Sequence, residues 1–294
     1  MLRTAWVLTL VVAIHPSGAY RSGADAARVD GLNQRGCALR DRAQYAEAEA
    51  LLLKALALAE EGCRGCELRV CSVENELGVL YKYTGRFDEA ERAYKRALQL
   101  AERPAGSRDP VTLATLYHNL GGLEHARERY AAGEVFARRG LALREQTFGP
   151  NYPDVASDLA ALAPLLDAQG KRQEAASMMI RALGIQERTY GPNACELAPD
   201  LNNLAALRYA EGQRTEALIL YTRTLEIKQR CLGPDHPDVA TTLNNMAVLF
   251  KSQGDRRKAA QLYQQSLTIF EKSLGPEHPK TIACKANYAR LTSR

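Results

Sequence analysis

The sequence predicts an all-α protein built from six helix pairs and a closing helix, and three observations carry that prediction. A Gly-Pro pair recurs at an interval of 42 residues, small residues recur in register with it, and apolar residues between these marks follow helical spacing. The Gly-Pro pairs begin at Gly149, Gly191, Gly233 and Gly275. Self-similarity at a fixed period of this size indicates one supersecondary unit stacked many times.

Small residues occupy three positions of every unit. Leucine follows each residue of the third set, and a single one-residue insertion separates the second and third units. The three sets are Gly36, Gly78, Gly121, Ala163, Ala205 and Ala247; Ala48, Ala90, Gly133, Ala175, Ala217 and Ala259; and Ala55, Ala97, Gly140, Ala182, Thr224 and Ser266. Small side chains at matched sites let two helix axes approach closely, so these sets predict packed helix pairs in six units.

Each unit contains two runs with helical spacing, separated by a turn. In the sixth unit the runs are Leu243–Phe250 and Ala259–Leu267, and Gly254 lies between them, where glycine supplies a left-handed C-cap. The Gly-Pro loop then separates consecutive units, because glycine ends one helix and proline is tolerated near the start of the next. No window alternates with period two for long enough to predict a sheet.

These residues resemble the tetratricopeptide repeat family. The 42-residue spacing, the L-N-N-L/M-A box at 201–205 and 243–247, and the G-P-D-H-P-D-V stretch at 233–239 are similar to the long-helix subtype of kinesin light chains. The resemblance covers residues 29–291 and implies a right-handed α-solenoid of six repeats with a C-terminal capping helix. The expected ranges are 29–62, 71–104, 114–147, 156–189, 198–231 and 240–273, with the capping helix at 279–291.

Composition argues against a nucleic-acid partner. Charged residues make up 25% of the chain and the formal net charge is +5, with no long run of one sign. The nearest approach to a basic patch is Arg138, Arg139 and Arg144, which Glu134 and Glu145 flank. We expect this cluster to be a solvated helix surface.

Residues 1–19 have the pattern of a secretory signal peptide. Arg3 precedes an apolar stretch too short to cross a bilayer comfortably, and Ser17 and Ala19 fit a small-x-small cleavage site. Residues 20–28 are then a short linker. The pattern predicts export to a secreted or periplasmic location, and the alternative is a membrane anchor formed by an uncleaved N-terminal segment.

Seven cysteines fit an exported protein only in part, because an odd number leaves at least one unpaired. Cys63, Cys66 and Cys71 cluster near the first unit boundary and predict a loop disulfide, with metal or redox chemistry and free thiols as alternatives. Cys195 and Cys231 map to neighbouring loops and form a second candidate disulfide. We expect Cys284 to be a free buried thiol, and no metal or other cofactor is expected.

Asparagines align on the first helices of the units, which line the concave side of such a solenoid. Asparagine is a mediocre helix former, and its carboxamide both donates and accepts, as the backbone of an extended peptide requires. The resemblance to light-chain repeats implies main-chain binding by Asn202, Asn244, Asn245 and Asn287. The alternative, strongest for the second asparagine of each pair, is a bond to the neighbouring helix. The other aligned positions are Asn203, His118, Asn119 and Asn75.

Two further features bear on the groove. Tyr209, Lys251, His125 and Lys82 share one register position and are expected to supply a stacking or charged rim, of which Tyr209 and Lys251 lie beside the better-matched asparagines. The fourth unit has Ala160 and Ala161 in place of asparagines and Pro164 inside its predicted helix, where proline costs about 3 kcal/mol. A kink there divides the groove, so we expect the better binding surface in the C-terminal half. The alternative is that residues 156–169 are not helical.

No catalytic constellation is present in the sequence: it has no G-x-S-x-G elbow, H-E-x-x-H pair or P-loop. His236 and His278 precede loop prolines and are expected to support turns. We therefore expect a non-enzymatic scaffold that binds a peptide or protein segment in the concave groove. The alternative is a structural subunit of an exported or envelope assembly, bound through convex or end surfaces; a motor-adaptor role is disfavoured, because residues before 29 leave no room for a heptad coiled coil.

Overall fold

The structure is a computed structural model that describes residues 24–62, 67–103 and 109–293. These residues form thirteen α-helices and no strand. The helices are α1 (Ala24–Asp41), α2 (Tyr45–Gly62), α3 (Glu67–Tyr83), α4 (Phe87–Ala101), α5 (Pro110–Ala126), α6 (Tyr130–Phe148), α7 (Pro153–Ala168), α8 (Arg172–Tyr190), α9 (Ala198–Ala210), α10 (Arg214–Leu232), α11 (Pro237–Ser252), α12 (Arg256–Leu274) and α13 (Pro279–Thr292). The predicted fold class, an all-α solenoid of helix pairs, is confirmed. No helix in this described part combines the length and apolar character that a bilayer crossing requires.

The helices belong to two compact units, which we call the N-terminal unit, up to Gln169, and the C-terminal unit, from Gly170. Within the N-terminal unit α1 packs on α2, α3 on α4 and α5 on α6, and the first helices α1, α3, α5 and α7 each contact the next. Within the C-terminal unit α9 packs on α10 and α11 on α12, while α13 packs on α12. The same supersecondary element therefore builds both units.

Burial confirms the small-residue sets as the packing seams of the helix pairs. All eighteen positions are buried, including the polar Thr224 and Ser266 at 0% exposure. The Thr224 hydroxyl donates to the backbone carbonyl of Leu220, and the Ser266 hydroxyl donates to that of Ala240. The seams tolerate a hydroxyl because each finds an acceptor.

Helix boundaries differ from the expected repeat ranges at their N-terminal ends. The first helix of each unit begins between three and five residues earlier than predicted, except α9, which begins at the predicted residue 198. In α1 the helix begins at Ala24 and so takes in part of the expected linker, residues 20–28. Proline at the first helical turn explains the early start of α5, α7 and α11, and α13 likewise opens on proline, at its predicted start.

The turns inside the pairs follow the predicted chemistry with two exceptions. Gly254 and its counterparts in the second, fourth and fifth pairs have positive φ, as the left-handed C-cap requires. In the first and third pairs Ala43 and Glu128 take the same conformation, each with a φ of 59°. His236 and His278 support the helix starts as expected, because each Nδ1 accepts the backbone N–H two residues later.

Pro164 does not end its helix. α7 runs continuously from Pro153 to Ala168, so the alternative that residues 156–169 are not helical is wrong. Pro164 itself is buried in the N-terminal unit. Ala160 and Ala161 stand at the aligned asparagine positions of α7. This helix therefore contributes no carboxamide to the asparagine series.

Candidate functional site

The C-terminal unit contains a cavity of about 510 Å³ between its first helices α9, α11 and α13. Tyr221 and Phe270, which come from the second helices, are only 3% and 2% exposed and form its buried apolar part. Burial raises the pKa of the Tyr221 phenol, which is therefore neutral at physiological pH. The remaining lining residues are Asn202, Asn203, Ala206, Tyr209, Ala210, Thr241, Asn244, Asn245, Val248, Lys280, Ala283, Cys284 and Asn287.

All five asparagines expected to bind a peptide in this half lie at the cavity, although they are not equally accessible. Asn203 is 8% exposed, whereas Asn202, Asn244, Asn245 and Asn287 are half-buried. Four carboxamides on α9, α11 and α13 thus present polar groups to a cavity whose base is apolar. This combination of an apolar pocket with a few convergent polar groups is typical of ligand sites.

The carboxamides also contact one another, and in both contacts the amide nitrogen belongs to the later helix and the amide oxygen to the earlier one. Nδ2 of Asn245 lies 3.5 Å from Oδ1 of Asn202, and Nδ2 of Asn287 lies 3.4 Å from Oδ1 of Asn244. Both distances exceed the usual 2.7–3.2 Å range, so these contacts are weak. The second asparagine of a pair therefore has a loose structural role, and Asn202 and Asn244 keep their Nδ2 donors for other partners.

The corresponding pair in the N-terminal unit is different. Asn119 donates to Asn75 at 2.8 Å, and both side chains are almost completely buried. His118 is 7% exposed, and its Nδ1 lies 2.8 Å from the Asp158 carboxylate. The expectation that His118 and Asn119 bind peptide is therefore corrected, because neighbouring helices already use their polar atoms.

The pattern, in which an asparagine on one first helix donates to an asparagine on the preceding first helix, is broken between α1 and α3. Asn33 occupies the accepting position, but Glu76 stands where the next repeat should supply an amide donor. Asn33 donates to Ser72 at 3.2 Å, while its Oδ1 is buried without a hydrogen-bond partner among the described residues. Glu76 accepts instead from Arg40, which is 6% exposed.

The two rim residues predicted beside the asparagines separate. Tyr209 is half-buried and lines the cavity, whereas Lys251 is exposed and lies outside the lining. Lys280 supplies a cation at the cavity instead, and its Nζ lies 3.9 Å from Asp238. Sequence reasoning missed Lys280 because it sits in the first turn of the capping helix, before the aligned asparagine positions.

Cys195 and Cys231, the second candidate pair, form a disulfide that links the short 3-10 turn Cys195–Leu197 to the end of α10. Cys71 is instead a free buried thiol that donates to the Ala97 carbonyl at 3.4 Å, which corrects its assignment to a disulfide cluster. Cys63 and Cys66 lie outside the described residues. Cys284 is free and buried, as predicted.

Arg144 corrects another expectation. Its side chain is 0% exposed, its Nε lies 2.7 Å from Asp158, and its Nη1 lies 3.3 Å from Asp154. The predicted solvated surface therefore includes one arginine that joins α6 to α7 inside the N-terminal unit. Its acidic partners lie ten and fourteen residues further along the chain, beyond the flanking glutamates considered from the sequence.

The helix pairs define a class of repeat protein, and comparison with known proteins gives the family. The family model described as "Tetratricopeptide repeat" matches residues 26–103, 112–193 and 197–272. The chain therefore belongs to the tetratricopeptide repeat family, as its resemblance predicted. Proteins with this repeat generally bind protein or peptide partners and are generally non-enzymatic.

Solved structures agree on the fold. The chain is similar to BtubC (BKLC) from P. vanneervenii, with 23% identity, a TM-score of 0.62, and coverage of 88% of this chain and 95% of that one. It is also similar to the putative kinesin light chain repeats of Podosopora anserina, with 22% identity, a TM-score of 0.60, and coverage of 68% and 94%. At these identities the similarity shows the fold alone.

A curated relative matches over a shorter stretch. The Clustered mitochondria protein homolog of Coccidioides immitis (strain RS) is 28% identical over 118 residues, which is 40% of this chain. The matched stretch spans 9% of that relative's length. The match therefore shows sequence similarity over a short part of that relative and leaves the relative's overall activity to that protein.

Proposed function

We propose that this protein is a non-enzymatic scaffold that holds an extended polypeptide segment in the cavity between α9, α11 and α13. The observation that carries the proposal is the pairing of an apolar base with half-buried carboxamides whose mutual contacts are 3.4–3.5 Å long. Carboxamides can donate to backbone carbonyls and accept from backbone N–H groups. A bound main chain can replace the weak amide-amide contacts at little cost.

The apolar base supports the same function by suggesting how affinity is reached. One net hydrogen bond contributes about 0.5–1.5 kcal/mol, whereas micromolar binding needs about 8 kcal/mol. The carboxamides therefore orient the segment, and an apolar side chain entering beside Tyr221 and Phe270 supplies most of the remainder through burial. The proposed ligand is an extended segment with an apolar anchor residue.

A peptide display library tests the proposal on the immobilised full chain. A selected peptide is then titrated against the wild type, the double variant Asn202→Ala with Asn244→Ala, and a control, Asn193→Ala, on an exposed loop of the same unit. We expect roughly ten- to hundredfold weaker binding for the double variant, from two lost hydrogen bonds, and wild-type affinity for the control.

Undiminished binding by a double variant with a normal circular dichroism melt contradicts recognition at this cavity. Stable co-purification with one large partner, insensitive to the same substitutions, favours the alternative of a structural subunit that uses other surfaces. The two functions are separable because only peptide binding in the cavity requires the cavity carboxamides.

We also propose that the protein is exported. The signal-like pattern of residues 1–19 supports this, and the Cys195–Cys231 disulfide fits an oxidising compartment. Intact-mass measurement of the protein from its own cells tests it: cleavage after Ala19 is expected. A full-length mass in the membrane fraction favours the uncleaved anchor, and a full-length soluble product contradicts export.

A further inference from the structure

Two buried polar side chains at the cavity between α9, α11 and α13 have no hydrogen-bond partner among the described residues. They are Asn203 on α9, which is 8% exposed, and Tyr221 on α10, which is 3% exposed, and both line the cavity. Buried polar groups of folded proteins almost always have a partner, so each exception calls for an explanation. The function proposed above uses the half-buried carboxamides and leaves these two groups unused.

Packing does not require the hydroxyl of Tyr221. Tyr221 stands four residues after the seam position Ala217, and the same position is Leu52 in the first repeat and Met179 in the fourth, both completely buried. An apolar side chain therefore fills this place elsewhere in the chain. The equivalent Tyr94 has a hydroxyl enclosed by protein without a partner, whereas Tyr221 lines a cavity that a ligand can enter.

The other polar groups of the cavity lining are less available or carry an exposed charge. The Thr241 hydroxyl donates to a backbone carbonyl at 3.0 Å, and the Cys284 thiol lies 3.6 Å from the hydroxyl of Ser266. Lys280 is exposed, and its Nζ lies 3.9 Å from the Asp238 carboxylate. The described lining contains no buried charge of either sign, so its buried part offers neutral hydrogen-bonding groups beside an apolar surface.

The chemistry of these groups matches a carboxamide. Burial first, and then the electrostatic influence of Tyr209, raise the pKa of the Tyr221 phenol, which therefore stays protonated and able to donate at physiological pH. A carboxamide oxygen can accept from the phenol, and a carboxamide can both donate to Asn203 and accept from it. A charged side chain would lose its hydration here without a buried counter-charge, which is costly.

We propose that Tyr221 and Asn203 determine the specificity of the cavity by selecting a segment whose anchor residue is glutamine. This inference rests on the proposed function and refines its apolar anchor: the methylene stem packs beside Phe270, and the carboxamide at its end meets the phenol and Asn203. Reach is needed, because Tyr221 and Phe270 come from the second helices and form the base of the cavity. A purely apolar anchor would leave both buried groups unpaired, which weakens binding.

The test is a double-mutant cycle on the full chain, which isolates the contact between the phenol and the amide. A peptide selected by the wild type from the display library is made with glutamine and with methionine at its anchor position, since methionine has a similar length and only a weak acceptor. Both peptides are titrated against the wild type, Tyr221→Phe and the matched control Tyr190→Phe. Tyr190 lies in the same unit, is 51% exposed and is outside the cavity lining.

We expect the wild type and the control to bind the glutamine peptide about tenfold or more tightly than the methionine peptide. In Tyr221→Phe this preference is expected to fall by about three- to tenfold, which corresponds to one lost hydrogen bond. An equal preference in Tyr221→Phe and the wild type overturns the proposal. A wild type that binds the methionine peptide as well as the glutamine peptide, or that prefers glutamate at the anchor, also overturns it.

The melting temperature without peptide distinguishes a binding hydroxyl from a structural one. Tyr221→Phe is expected to melt at the wild-type temperature or above it, because the hydroxyl it removes has no partner among the described residues. A fall of several degrees shows a structural role and overturns the proposal. The proposed function fails by a separate result, peptide binding that ignores Asn202→Ala with Asn244→Ala, since that variant keeps both Tyr221 and Asn203.

Discussion

The substitution Gly78→Ala tests the central packing claim, that the small-residue sets set the distance between paired helices. A Cβ at Gly78 would lie 2.5 and 2.6 Å from ring carbons of Tyr94. Tyr94 is 0% exposed, so its ring cannot turn out into solvent. Since carbon atoms pack at about 3.5–4.0 Å, α3 and α4 would have to separate by roughly 1 Å.

The magnitude depends on two opposing effects. Overpacking of a dense core typically costs about 1–3 kcal/mol, while replacing a helical glycine by alanine gains about 0.8–1.0 kcal/mol. Because the new Cβ meets a completely buried ring, the upper part of the overpacking range applies, about 2–3 kcal/mol, and we expect a net loss of about 1–2 kcal/mol in the free energy of unfolding. Gly31→Ala is the matched control, because Gly31 lies within α1 and a Cβ there meets nothing within 4 Å. It should stabilise the protein by up to about 1 kcal/mol.

Urea unfolding of the full chain, followed by circular dichroism, measures both variants. Because stacked repeats can unfold in parts, hydrogen exchange at α3 and α4 provides the local measurement. Opposite signs for the two variants, with faster exchange at α3 and α4 in Gly78→Ala, support the reasoning. Equal shifts in the two variants, or a Gly78→Ala protein as stable as the wild type, refute the claim that this seam is closely packed.

Two further predictions concern the C-terminal unit. Reducing the Cys195–Cys231 disulfide, or replacing both cysteines by serine, should cost about 2–5 kcal/mol. Calorimetry with and without dithiothreitol should show a lower melting temperature for the reduced wild type and a smaller shift with dithiothreitol in the double variant. Burial raises the pKa of Asp200 to about 6, so the native state binds more protons than the unfolded state between about pH 4 and 6, and this residue's contribution to stability falls as pH rises through that window. Asp200→Asn should abolish this residue's part of that fall. The stability of the variant minus that of the wild type, measured by urea unfolding at both pH values, should therefore be larger at pH 7 than at pH 4 by up to about 2–3 kcal/mol. A difference between wild type and variant that does not change with pH contradicts the assignment.

The repeat architecture was predictable because its determinants are local and periodic. A small residue such as Ala205 or Ala247 must recur wherever two helices approach closely, and the Gly-Pro loop must recur wherever one pair ends. Both constraints depend on residues of the same unit, so a single sequence displays them. The starts of α5, α7 and α11 were less well placed, because the repeat ranges left out the first turn that proline permits.

The roles of the polar residues were not predictable in the same way. An asparagine on a first helix looks the same in the sequence whether it meets a neighbouring helix or a cavity, yet Asn119 lies 2.8 Å from Asn75 while Asn245 lies 3.5 Å from Asn202. The difference depends on how consecutive first helices are placed in the folded protein, which the sequence of one repeat does not display. Arg144 shows the same limit, since its burial depends on Asp158 of the following helix.

The fifth repeat shows how a departure from the pattern bears on the cavity. In the sixth repeat His236 accepts a backbone N–H and proline opens α11, so local chemistry fixes the helix start. The fifth repeat has Cys195 at the position of that proline, and a 3-10 turn precedes α9. The disulfide to Cys231 thus ties down the chain where the cap is missing. Because Asn202 lies in the second turn of α9, the same bond helps to fix a cavity carboxamide in place.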